Sequence, residues 1–276
     1  MVLWGVAAFL LFLTPARLGE RVWQAFGAGP AAAVIVSVVT AVLALPLQTA
    51  GIGEGWRDAL DPGMLRDVLF ATTVGQAWFA QMAAALLLCL AMLLPCERRR
   101  SAAALGAGLG LVALVQTGHA SMAEGWREVA QRANDAIHLL VAGGWLGGLV
   151  GLVPVLRLLQ QPEWQADAQT ALRRFSTVGH WIVAATMATG VGNTLLVVGG
   201  APTDWSSPYQ ALLAAKIGLV ACMIALALYN RYALVPRMAA RRAASLLALR
   251  RACFAEIALG TGVIALVAVF GMMEPV

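Results

Sequence analysis

Two histidines frame the stretch with the clearest capacity for chemistry. The chain has three histidines in 276 residues, and His119 and His138 both fall in TGHASMAEGWREVAQRANDAIHLLVAGGWLGGL, residues Thr117 to Leu149. A polar turn there joins two apolar runs, with one histidine at the end of the first run and the other at the start of the second. Nineteen residues separate them in sequence, but a hairpin brings its two ends together at similar depth. Imidazole suits copper, zinc, iron and nickel. Met122 follows His119 by three residues, so a continuing helix would put both on one face. A thioether beside imidazoles favours Cu(I) over harder ions. Two histidines on adjacent helices at one depth could equally ligate haem b axially. The plainer alternative is a pair of interfacial histidines bonded to loop carbonyls, with Met122 as packing.

Further polar and soft side chains fall in neighbouring segments. Asn193 is placed to reach the same outer region, either orienting a ligand histidine through a hydrogen bond or simply bridging two helices. Trp145 shares a helical stripe with His138, Ala142 and Leu149. His180 and Met187 lie toward the inner side with Cys222, as soft-ligand steps for a crossing cation or as scattered core residues. Lys216 is expected to snorkel to the outer interface, and Glu256 to pair with a basic residue such as Arg174.

These residues must be positioned by membrane helices. The chain is 61% hydrophobic and 12% charged, with mean hydropathy +0.79, against about one quarter charged in soluble domains. Eight runs are long enough or nearly long enough to span: about 1–16, 30–50, 67–95, 102–121, 134–157, 175–198, 209–234 and 251–272. Their connections are too short for a soluble domain, and a single polytopic domain over 1–276 follows. The strict alternation of a β-barrel is absent, so the expected fold is an all-α integral membrane protein, an eight-transmembrane-helix bundle. Residues 1–16 lack the basic start and small-residue cleavage site of a signal peptide. They are expected to remain as a helix.

Charge then orients the bundle. Connections after the first, third, fifth and seventh runs, together with their flanks, hold 14 of the 19 Lys and Arg residues, including Arg98-Arg99-Arg100. Nine of the 14 acidic residues fall on the opposite side, among them Glu54, Asp58, Asp61 and Asp204. The basic side is cytoplasmic, so both termini are predicted to be periplasmic. The pI near 9.5 is thereby explained by topology, and no nucleic-acid partner is expected. The four cysteines show no CxxC spacing and read as small buried hydrophobes.

Three finer features complete the reading. The fifth run carries overlapping GxxxG spacings at Gly143, Gly144, Gly147, Gly148 and Gly151, which admit a closely packed neighbour and make this helix central. Gln160–Arg174 is expected to form a short interfacial helix. The outer connections share QT followed by EGWR, at Gln48, Thr49 and Glu54–Arg57 and again at Gln116, Thr117 and Glu124–Arg127. This is either a relic of a helix-pair repeat or chance. No phosphate loop, HExxH or GxSxG is present, and no enzyme is expected.

In combination, the residues resemble the CopD (PcoD-like) copper-resistance membrane family. The resemblance is carried by Gly118-His119, Asp135-x-x-His138 through Trp145-Leu146-Gly147-Gly148-Leu149, Arg174-Phe175-Ser176, Gly190 and Asn193. It continues through Pro208-Tyr209, Leu212-Leu213 with Lys216, Asn230-Arg231 with Pro236, and Glu256, and includes Thr72-Thr73-x-Gly75-x-x-Trp78. It covers roughly residues 65–275. It implies an inner-membrane protein that moves copper toward the cytoplasm, served by a periplasmic CopC-like copper carrier. Three uses of the chain follow as expectations: a copper permease capturing the ion at His119 and His138 with Met122, a bis-histidine haem b redox protein, or a non-catalytic docking subunit for the carrier.

Overall fold

The computed structural model of the chain describes residues 1–117, 125–238, 242–271 and 273. The described residues hold helices and no strands. In chain order they are α1 (Val2–Ala8) running into a π-helical turn (Phe9–Leu13), α2 (Ala16–Ala25), α3 (Gly29–Ile52), a 3-10 turn (Asp58–Leu60), α4 (Pro62–Ala71), α5 (Thr73–Leu93) and α6 (Cys96–Leu114) with a 3-10 end (Val115–Thr117). There follow α7 (Trp126–Leu158), α8 (Gln165–Val198), α9 (Pro208–Tyr229), a second π-helical turn (Asn230–Leu234), α10 (Val235–Arg237) and α11 (Arg242–Phe270).

Among the described residues, six helices are long and apolar enough to cross a membrane: α3, α5, α7, α8, α9 with its continuation to Arg237, and α11. The other two predicted runs are present as helices of different character. The first is the 12-residue stretch Val2–Leu13. The fourth is α6, whose opening turn carries Glu97 and three arginines.

Local chemistry explains several boundaries that hydropathy alone misplaces. The predicted run 67–95 is two helices, because Thr72 is extended and its hydroxyl accepts from the Gly75 amide, capping α5. A Cβ on Gly75 would lie 1.9 Å from the Leu69 carbonyl oxygen, so this tight join requires glycine. The predicted interfacial helix Gln160–Arg174 is instead the first part of α8, which begins at Gln165 and runs unbroken for 34 residues. An added amphipathic helix, α2, follows the first run; Leu18, Val22 and Trp23 are buried on one face of it. Ser207 caps α9, with Pro208 at its first position.

The predicted centrality of the glycine-rich helix is observed. Within its apolar window α7 is 61% buried, against 28% or less for the other five. Lipid supplies no hydrophobic force between helices, so close approach of small residues carries the packing. A Cβ on Gly147 would meet the Gly5 Cα at 2.6 Å, and one on Gly151 the Phe9 ring at 2.6 Å. One glycine stripe therefore receives α1 and its π-helical turn. Gly148 faces the Phe175 ring of α8, and Leu146 fills the space over Gly260 of α11. The Trp4 indole donates to the Leu140 carbonyl at 2.9 Å, fixing the depth of α1 against α7.

The arginine-rich connections gather at one end. Arg100 lies 3.5 Å from Glu20, Arg17 lies 3.0 Å from Glu163, and the Arg17 guanidinium stacks over Trp164. This basic end unites α2, the start of α6 and the α7–α8 connection. Three tryptophans of the opposite, acidic connections, Trp56, Trp126 and Trp205, are strongly exposed, as expected of an interfacial aromatic belt.

Candidate functional site

His138 lies three turns into α7, half-buried against α8. Its Nδ1 is 2.9 Å from the Thr189 hydroxyl oxygen. That hydroxyl donates its proton to the Ala185 carbonyl at 2.6 Å, a bond made along its own helix. A hydroxyl has a single proton to give, so toward His138 it can only accept. His138 is therefore the tautomer with the proton on Nδ1, and the lone pair stands on Nε2. This is the arrangement that a metal-ligating histidine requires, with the second nitrogen fixing the ring. The Thr186 carbonyl also lies near the ring, so the α8 side presents acceptors.

One turn earlier, Asn134 ties the same two helices. Its Nδ2 donates to the Thr189 carbonyl at 2.8 Å and also to Asn193 Oδ1. Asn193 thus holds Asn134 and not His138, which is the helix-bridging one of its two expected roles. Gly190 and Gly192 make room for these side chains: added Cβ atoms would lie 3.5 Å from the His138 ring and 3.0 Å from Asn134. Sequence reading missed Thr189 and Asn134. The available signal was their register, since Asn134 and His138 are four apart on α7 and Thr189 and Asn193 four apart on α8.

Lys216 of α9 and Asp135 of α7 complete this end of the bundle. Lys216 is within electrostatic reach of both His138 and Asp135, and its Nζ lies 5.8 Å from the Phe270 ring. The Asp135 carboxylate partly offsets the Lys216 charge at this end of the bundle. His119 and Met122 lie outside the described residues, so the expected His119–His138 pair and the thioether beside it have no geometry here.

The inner candidates occupy a different place. A cavity of about 360 Å³ opens between α7, α8, α9 and α11. Trp145, His180 and Met187 all line it, with Asn230, Cys253 and Glu256. His180 is exposed, and both ring nitrogens have partners: Nδ1 is 2.9 Å from the Ser176 carbonyl and Nε2 is 3.3 Å from the Tyr232 hydroxyl. Nine residues along α8 from Thr189 is roughly 13 Å, so His180 and His138 belong to separate levels and do not pair. Cys222 is exposed and absent from the cavity lining; Cys253, buried, takes the place expected of it. Cys89 is exposed as well, so of these three thiols only Cys253 is a core residue. Glu256 does not pair with Arg174. Its Oε1 accepts from Asn230 Nδ2 at 2.6 Å. Among the described residues, no group of three or more His, Cys, Asp or Glu side chains gathers as a metal site, and nothing supports haem ligation.

Comparison with known proteins bears on this arrangement. Residues 1–129 match the family described as copper resistance protein D-like, N-terminal domain, and residues 169–270 match the family described as copper resistance protein D. The N-terminal match thus takes in helices before residue 65. The chain is 34% identical over 239 residues to the inner membrane protein YebZ of Escherichia coli strain K12, covering 86% of this chain and 81% of that protein. It is 30% identical over 247 residues to copper resistance protein D of Pseudomonas syringae pv. tomato, covering 86% and 78%. It is 32% identical over 199 residues to the copper transport protein CutJ of Bacillus subtilis strain 168, covering 67% of this chain and 35% of that longer protein. No solved structure matches.

Proposed function

The chain belongs to the copper resistance protein D family, and we propose that it carries copper across the bacterial inner membrane toward the cytoplasm. In this reading it spans the membrane eight times as one domain, with α1 and α6 joining the six long helices. Both termini face the periplasm, and the arginine-rich end faces the cytoplasm. It performs no covalent chemistry.

The observation that carries the reading is the His138 ring, fixed by Thr189 so that Nε2 presents a lone pair at the acidic end of the central helix. His119 and Met122 would complete the capture site, since imidazole with a thioether suits Cu(I). Asn193 supports it through Asn134, which clamps the α8 backbone beside Thr189. The acidic connections raise the local cation concentration. An inside-negative potential favours inward movement of a monovalent ion by ~2.3 kcal/mol per 100 mV, so no primary energy source is required. Trp145, His180 and Met187 line the cavity through which the inner half of the path would pass. A soluble periplasmic carrier of the CopC type is the proposed donor, docking at the acidic connections.

The test is copper accumulation by cells expressing the wild-type chain or the His119→Ala/His138→Ala variant at matched membrane levels. Wild-type expression should raise cellular copper and the variant should not. Equal accumulation by both would remove the histidine site from the transport path.

A further inference from the structure

Glu256 is 1% exposed and Asn230 is 8% exposed, at the level of the membrane-embedded cavity. They share one hydrogen bond, from Asn230 Nδ2 to Glu256 Oε1. That bond leaves two acceptors, Glu256 Oε2 and Asn230 Oδ1, buried and without a hydrogen-bond partner. The Trp145 indole lies beside the same carboxylate. Arg231, which also lines the cavity, gives its guanidinium to the Ser176 carbonyl at 2.7 Å and to the Ser176 hydroxyl. Buried acceptors without donors are costly in an apolar wall. Two such oxygen acceptors on residues that line one cavity are complementary to a cation.

A third donor atom is within the same wall. Cys253 precedes Glu256 by three residues on α11, so the two side chains share a helix face, and both line the cavity. Cys253 is 1% exposed. Its sulfur selects for a soft ion, while the carboxylate supplies the negative charge that a cation needs in a medium of low dielectric. Asn230 opens the π-helical turn Asn230–Leu234. Such turns are frequent at functional sites, and here Asn230 of the turn reaches Glu256 of α11.

We propose that Glu256, Asn230 and Cys253 form a second cation site, in the basic half of the bundle, that takes Cu(I). This rests on the copper-carrying reading above and extends it. The ion would be captured at the level of His138 and held again before release at the arginine-rich face.

The experiment uses the full chain in lipid nanodiscs under anaerobic conditions, titrated with Cu(I) against a chromophoric Cu(I) chelator. The His119→Ala/His138→Ala background removes the outer site and should retain stoichiometric Cu(I). Adding Cys253→Ser or Glu256→Gln to that background should weaken the remaining binding by roughly tenfold or more. In the unaltered chain, Cu(I) should also protect Cys253 from a small alkylating reagent, with the exposed Cys89 and Cys222 as reference thiols; this arm needs no substitution in the core. The proposal is overturned if the background binds no Cu(I), if both added substitutions leave binding unchanged, or if Cys253 is alkylated equally with and without the ion. The two sites fail separately. A background that loses all copper leaves only the outer site standing. A background that binds copper and supports wild-type uptake leaves only the inner one.

Discussion

Thr189 sets the tautomer of His138 from the neighbouring helix. The threonine hydroxyl is committed to the Ala185 carbonyl, so it accepts from Nδ1 at 2.9 Å and leaves Nε2 unprotonated. Replacing Thr189 with valine keeps the shape and removes the acceptor. The ring would then be free to turn and to carry its proton on either nitrogen. Loss of such an orienting partner costs about 10–100-fold in metal affinity. Thr189→Val should therefore weaken Cu(I) binding at the His138 site by that factor, while Thr189→Ser should not. Chelator competition on the purified chains decides it, and equal affinities for valine and wild type would refute the positioning role.

The glycine stripe of α7 gives a prediction about stability. A Cβ on Gly5 would fall 2.1 Å from the Gly143 carbonyl oxygen, and one on Gly147 would meet the Gly5 Cα at 2.6 Å. Both obstacles are backbone, so the helices must separate. Gly5→Ala and Gly147→Ala should each cost roughly 1–3 kcal/mol, the usual range for overpacking. Gly144, one residue from the same stripe, has nothing within 4 Å of an added Cβ, and Gly144→Ala should be silent. Thermal unfolding in detergent, with the three variants side by side, separates a specific helix contact from a general intolerance of α7 to alanine.

Hydropathy and small-residue spacing made most of this architecture legible. They located the six long helices and the central role of α7, because both follow from properties of single segments. What they missed depends on contacts between segments. The end of one helix at Thr72 is set by a hydroxyl and a glycine packed on Leu69, inside an otherwise continuous apolar run. The start of α8 at Gln165 lies in a polar stretch that reads as a loop. In the site, the histidine was legible as a residue type, but its partner was not. Thr189 is one of many hydroxyls in the spans, and only the register of α7 against α8 singles it out. The sequence points Glu256 to a basic partner such as Arg174; the structure gives it an amide and leaves Arg231 to Ser176.

The Asn134–Asn193 contact joins α7 and α8 beside the His138–Thr189 pair. Interhelical hydrogen bonds in membranes are worth about 0.6 kcal/mol on average and up to about 1.7 kcal/mol. A double-mutant cycle with Asn134→Ala and Asn193→Ala should return a coupling energy within that range. Asn193→Ala should also reduce Cu(I) binding less than Thr189→Val does, because Asn134 retains its bond to the Thr189 carbonyl. A coupling energy near zero would mean that the two amides meet without contributing to the helix pair.

The connection between α8 and α9 supplies a pH-dependent contact outside the membrane span. Asp204 accepts from the Ser206 hydroxyl at 2.5 Å and from the Ser206 amide at 3.0 Å, and these bonds hold its carboxyl below the usual carboxylate range. A depressed carboxyl favours the folded turn at pH values above its unfolded pKa. That contribution is lost as pH falls through the folded pKa, when the carboxylate gains a proton and gives up its acceptor role. The Gln210 side chain also accepts from the Asp204 amide at 3.1 Å, so the turn is held to the first turn of α9 even when Asp204 is protonated. Acidification should therefore loosen the Asp204–Ser206 turn while leaving the helices intact. Carboxyl titration by NMR should find Asp204 below the usual carboxylate range. Ser206→Ala should raise it toward that range, and an unchanged titration in that variant would assign the depression to something other than Ser206.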